Sequence, residues 1–170
     1  NGSTINNHEI SGSGGGIYSV VTGTSTISID HGSTINNHKV GGSGGGIYNV
    51  VTGANTISID NESMIDNNTA GIHGGGIYSV ATTSSMIKID HASSISGNKA
   101  QTGSGGAIYH EANDSVSVEI LGDSQHEENL YTTISNNTAK LNGGAIYNVS
   151  KANSSVLVET RYVENEKVDV

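Results

Sequence analysis

The chain has 170 residues, 24 of them Gly, with no Pro, Cys, Trp or Phe and a formal net charge of −9. That acidity excludes a nucleic-acid backbone or an anionic lipid surface as partner, because both need a basic face. No run of about 18 apolar residues occurs, so no helical membrane insertion is expected, and the lack of Cys fits a protein exposed outside the cell.

The chain repeats every 30 residues. Residues 3–32 and 33–62 agree at 22 of 30 aligned positions. A third copy covers 63–92, a fourth 93–131 with an insertion at 121–130, and a fifth 132–159, leaving a segment at 160–170. A period of this size marks stacked units that bury their apolar sides on one another. The start falls on a repeat boundary, since Asn1-Gly2 aligns with His31-Gly32, as expected of a processed protein or an excised fragment.

Within each copy three strands are predicted. The first centres on Thr4-Ile5-Asn6. The second is Gly16-Ile17-Tyr18-Ser19-Val20, and the third, Thr26-Ile27-Ser28-Ile29-Asp30, alternates apolar and polar. β-Branched residues are plentiful, and Gly-rich or Asn-rich corners separate the pieces. This pattern predicts one all-β domain, a right-handed parallel β-helix of about five coils. Each coil rises by about 4.8 Å. Left-handed solenoids use short hexapeptide turns, which 30 residues do not fit.

Aligning the copies gives columns. Ile5, Ile35, Ile65, Ile95 and Ile134 form one core column, and Ile10, Val40, Ala70, Ala100 and Ala139 another. On the third strand the expected core columns are Ile27, Ile57, Ile87, Val116, Val156 and Ile29, Ile59, Ile89, Val118, Val158, with Ser28, Ser58, Lys88, Ser117 and Leu157 facing out between them. Ile17, Ile47, Ile77, Ile108 and Ile146 are expected inward. Tyr18, Tyr48, Tyr78, Tyr109 and Tyr147 then form an outer stacked ladder; the reverse assignment would share its parity with the polar Ser19 column.

Asn7, Asn37, Asn67 and Asn136, interrupted by Gly97, are expected to hold a bend through an amide ladder beside His8, His38, Asn68, Asn98 and Asn137. Asp30, Asp60, Asp90, Glu119 and Glu159 align as a carboxylate column. Such a column is either screened by water and salt or forms a row of weak calcium sites. His31 and His91 follow that column, with Asn61 between them, and do not make a transition-metal set. Seven glycosylation sequons occur, at Asn1, Asn61, Asn67, Asn113, Asn136, Asn148 and Asn153.

No catalytic constellation is expected. Only Arg161 is an Arg, the acids form a regular ladder, and the glycine runs recur in every copy with no helix after them. The insertion, Leu121-Gly122-Asp123-Ser124-Gln125-His126-Glu127-Glu128-Asn129-Leu130, is the one asymmetric loop.

The segments Gly143-Gly144-Ala145-Ile146 and Gly105-Gly106-Ala107-Ile108 resemble the GGA[ILV] box of the polymorphic outer membrane protein family, whose repeats occur on autotransporter-like surface proteins. The first three copies carry Gly-Gly-Gly-Ile instead, and Ile134-Ser135-Asn136-Asn137 has Ile where the family's second box has Phe. The resemblance implies a right-handed β-helix outside the cell or at its surface, adhesive or structural. The expected chain is therefore a non-catalytic module, a stalk fragment or head-to-tail filament subunit, with itself or surface glycans as partners. A glycan-cleaving β-helix of the polysaccharide lyase or hydrolase type is the alternative.

Overall fold

The computed structural model describes residues 2–122 and 131–159. The insertion beyond Gly122 and the segment from residue 160 onward, expected from the sequence to be a cap over the last coil or a pairing strand, lie outside them. The first coil contains four strands: β1 (Thr4–Asn6), β2 (Glu9–Ile10), β3 (Ile17–Val21) and β4 (Ser25–Ile29). The same four recur in each coil, ending with β17 (Thr133–Ser135), β18 (Thr138–Ala139), β19 (Ile146–Ser150) and β20 (Asn153–Glu159). Equivalent strands pair in parallel, giving four five-stranded sheets around one axis, a parallel β-helix. The sequence predicts three strands per coil. The fourth is the two-residue piece beginning at Glu9, too short for alternation to reveal.

Register runs like on like: Ile5 faces Ile35, Ile17 faces Ile47 and Ile27 faces Ile57. The shift from coil to coil is 30 residues until the corner after Ala100. There one extra residue enters, so Ile77 pairs with Ile108. The core is a stack of isoleucines. Ile47, Ile57, Ile65, Ile77, Ile87, Ile95 and Ile108 are all fully buried, each contributing roughly 1.5–3 kcal/mol.

One correction concerns the fourth sheet. Ile87 lies opposite Val118 and Ile89 opposite Ile120, so the fourth coil stands two residues later than the alignment of Val116 with Ile87 implies. Val116 and Ser117 pair with Ser85 and Met86, and Glu119 pairs with the outward Lys88. A slip of two residues preserves which side chains face inward, so alternation alone cannot detect it.

The interior has two apolar compartments. The larger is the isoleucine stack; the smaller holds Val51, Ala81, Ala112 and Val116. A buried polar seam lies between them, made by Asn49, Ser79 and His110 on the third sheet and Asn55 and Ser85 on the fourth. Asn49 Nδ2 donates to Asn55 Oδ1 at 2.6 Å, and Asn55 Nδ2 donates to Ser79 Oγ at 2.8 Å and Ser85 Oγ at 3.1 Å. His110 Nε2 lies 2.6 Å from Ser85 Oγ.

The corners from the fourth sheet back to the first are two-residue turns with both central φ positive: His31 (56°) and Gly32 (69°), Asn61 (49°) and Glu62 (61°), His91 (45°) and Ala92 (59°). Two of them close with Ser33 N–H donating to the Asp30 carbonyl at 3.2 Å and Ser93 N–H to the Asp90 carbonyl at 3.1 Å. This is type I′ geometry, which wants Gly second. Only the first copy supplies it. Glu62→Gly and Ala92→Gly should each stabilise the fold by about 0.4–1 kcal/mol, read in urea unfolding; an unchanged or lower midpoint would contradict the strain at these two residues.

Candidate interaction surface

The Asn7 column supplies backbone shape. Asn7, Asn37, Asn67 and Asn136 have φ of 55–58°, and Gly97 continues the column at 64°. Asn tolerates this left-handed corner better than other non-Gly residues, and Gly97 keeps the bend intact. The amide ladder stands one residue later. Asn68 Oδ1 accepts the His38 backbone N–H at 3.1 Å, and Asn98 Oδ1 accepts that of Asn68 at 2.9 Å. The Nδ2 groups of Asn68, Asn98 and Asn137 donate to the carbonyls of Ile35, Ile65 and Ile95. His38 does the same work with a ring. Its Nδ1 accepts the His8 N–H at 3.2 Å, so Nε2 carries the proton and donates to the Ile5 carbonyl at 3.1 Å. Burial holds the His38 pKa below the ordinary imidazole range, consistent with a neutral ring. This equivalence explains why the column mixes His and Asn.

The carboxylates are committed to local donors. Asp30, Asp60 and Asp90 each accept the backbone N–H of the next residue at 2.7–2.9 Å. Asn61 Nδ2 donates to Asp30 at 2.7 Å, His91 Nδ1 lies 2.6 Å from Asp60, and Lys88 Nζ lies 2.8 Å from Asp90. The Asn61 amide is the main cause lowering the Asp30 pKa; desolvation opposes it, and the His31 backbone N–H adds to the lowering. Glu119 is corrected out of the column: the residue after Ile120 is Leu121, which pairs with Glu159. With at least one oxygen of each already bonded, in Asp60 through Oδ1, the Asp residues should give no calcium-specific rise in melting temperature over magnesium at matched ionic strength. A rise abolished by Asp60→Asn would establish a calcium site instead.

The outside of the third sheet differs from the other faces. Tyr18, Tyr48, Tyr78, Tyr109 and Tyr147 form a continuous stack, with every neighbouring pair of ring centroids 5.0 Å apart and planes inclined by 4–27°. Near-parallel rings cover one another's faces and leave edges and hydroxyls outward. Burial in the stack is the main cause raising the pKa of Tyr48, Tyr78 and Tyr109; at Tyr109 a hydrogen bond from its hydroxyl to Glu111 Oε2, 2.9 Å, adds to it. His73 packs against Tyr109 with ring centroids 4.7 Å apart. Beside the rings runs a second outward column: Val20, Val50, Val80, Glu111 and Val149. Tyr18 is 63% exposed and Val20 59%. The other outward columns carry mainly Ser, Thr, Asn, Lys and Glu. Sequence reading places the Tyr ladder but passes over the Val column, whose signal is an apolar residue at outward parity in four of five copies.

A shallow hollow of about 350 Å³ on the second sheet is lined by Lys99, Ala100, Gln101, Thr138, Ala139 and Lys140, with no carboxylate. No group of three or more His, Asp or Glu placed to hold a metal ion occurs among the described residues.

Three stretches, 62–80, 92–111 and 131–149, match the sequence model of the Chlamydia polymorphic membrane protein repeat. Each runs from the first sheet through the Asn and Gly corners into the Ile-Tyr strand and stops short of the fourth sheet. No curated protein and no solved structure matches the chain.

Proposed function

Since three of its coils carry the repeat of the chlamydial polymorphic membrane proteins, we propose that the chain is a non-catalytic module displayed at a cell surface, acting as an adhesive and spacing rod. The supporting observation is the uniformity of the exterior. Each outward column runs through all five coils, and the acids of the most acidic column are used as turn and cross-coil partners. Catalysis needs one local asymmetric arrangement of acid, base and substrate contacts, whereas these columns repeat from coil to coil. A repeating exterior suits many weak identical contacts acting together.

Beads coated with the chain should attach to cultured cells, and soluble chain should compete in proportion to its concentration. Attachment no better than that of albumin-coated beads would end the adhesive reading. Release of reducing ends from a polysaccharide panel would favour the glycan-cleaving alternative.

A further inference from the structure

We propose that the outer face of the third sheet is a docking surface for an uncharged, extended linear glycan lying along the rod, one sugar per coil. The proposal rests on the surface-module reading and names a partner for it. Three observations select this occupant.

The first is charge. In a chain of net charge −9, the Tyr and Val columns carry one ionisable carboxylate, Glu111, and no cation. Neither a polyanion nor a cationic peptide gains electrostatically over so neutral a strip.

The second is period. Phenol rings recur every 5.0 Å along the stack. An extended peptide shows like faces every two residues, about 6.7 Å, and a polyproline helix rises about 3.1 Å per residue. Neither stays in step with the ladder. A β-1,4-linked glycan advances per sugar by nearly the coil spacing and turns alternate sugars over about its axis, so like faces recur every second coil and the chain stays in step with the ladder.

The third is the chemistry and size of the strip. Each coil offers a phenol edge beside an aliphatic side chain, matching the hydroxyl edges and C–H surface of a sugar. Four steps of 5.0 Å make the stack about 20 Å long, and the two columns lie about 7 Å apart. That area falls far short of the roughly 800 Å² per partner of a stable protein dimer.

With no Trp in the chain, intrinsic emission reports tyrosine, and the ladder holds five of the seven. Tyrosine emission is followed while neutral β-1,4-linked glucose oligomers, from disaccharide to hexasaccharide, are added to the full chain. Affinity should rise with length to the pentasaccharide and level off at the hexasaccharide, because there are five coils. The α-1,4-linked hexasaccharide, whose chain curves, should bind much more weakly. The double variant Val50→Glu, Val80→Lys sets opposite charges in register with each other and with Glu111, as Glu9 and Lys39 already are; it should keep its melting temperature and weaken binding by at least about tenfold. No saturable change with any β-linked oligomer, equal binding of the α-linked one, affinity independent of length, or undiminished binding by the folded double variant would each overturn the proposal. Bead attachment that survives such a failure leaves the surface-module reading intact.

Discussion

Replacing His110 with Asn should remove a pH dependence of stability between pH 6.5 and 4. His110 is fully buried in the polar seam, and desolvation drives its pKa down from 6.5 to about 4. The Asn148 side chain, in register one coil on, opposes the fall, although no partner reaches His110 Nδ1 at hydrogen-bond geometry. The folded state refuses a proton that the unfolded chain accepts. The neutral ring therefore costs nothing above pH 6.5. As pH drops toward 4 the unfolded state gains, and below 4 the loss levels off. A shift of this size corresponds to about 3 kcal/mol in all. The neighbouring seam residues are Ser, Asn and Val, with no second titratable group. Asn occupies this column at positions 49 and 148, so the variant keeps the seam's chemistry. Unfolding free energies of the two proteins should nearly coincide at pH 7.5 and separate by about 2 kcal/mol at pH 4.5, with the variant more stable. Parallel curves over that range would mean that His110 is protonated or hydrated in the folded state.

The second large effect is expected at the glycine corner, where neighbouring positions should respond oppositely. The first Gly of each run, at 14, 44, 74, 105 and 143, has φ of 61–72°. The second has no space in the first four coils; only Gly144, in the last, has room. A Cβ on Gly75 would overlap the Gly106 carbonyl and the Lys99 backbone, and one on Gly106 the Gly144 carbonyl and the Thr138 backbone. The third is less confined. A Cβ on Gly76 meets the Ala107 carbonyl at 2.8 Å and the Asn98 amide at 3.2–3.3 Å, and Ala already stands at the equivalent positions 107 and 145. Gly75→Ala should cost about 3 kcal/mol or more, lowering the melting temperature by roughly 10 °C. Gly76→Ala should cost about 1 kcal/mol or less. Equal losses would show that the corner relaxes as a whole. The contrast gives a physical reason for Gly-Gly-Ala-Ile in two copies and Gly-Gly-Gly-Ile in three.

The stacking direction was the most legible part of this fold. A 30-residue period with Ile5, Ile17 and Ile27 repeated in step leaves few arrangements besides parallel coils. Register was less legible. The alternation around Val116 and Val118 is satisfied equally by two frames two residues apart, and only the corner after Ala100, where one residue is added, decides between them. Corner chemistry was legible in composition but ambiguous in role. Asn67 and Asn68 are adjacent and identical in type; one is there for its backbone angle and the other for its amide. The polar seam was half visible. Ser19, Asn49, Ser79 and Asn148 share the parity of the buried Ile column, but their partners Ser25, Asn55, Ser85 and Ser154 belong to another sheet and become neighbours only when the coil closes. For the exterior, spacing shows which columns face out, while the ring separations and hydroxyl directions depend on the folded geometry.

The strict 30-residue register between the first three coils also bears on how such a rod changes length. Because residues 3–32 and 33–62 are so nearly the same, whole copies can be added or removed in phase. A gained copy would enter with its Ile, Tyr and Gly columns already in step with those above and below. The gene can thus alter reach in increments of about 4.8 Å without redesigning any face. A chain with residues 33–62 duplicated should fold, unwind as cooperatively as its parent and lengthen by one such increment in small-angle scattering. A chain duplicated out of phase by half a coil should not fold.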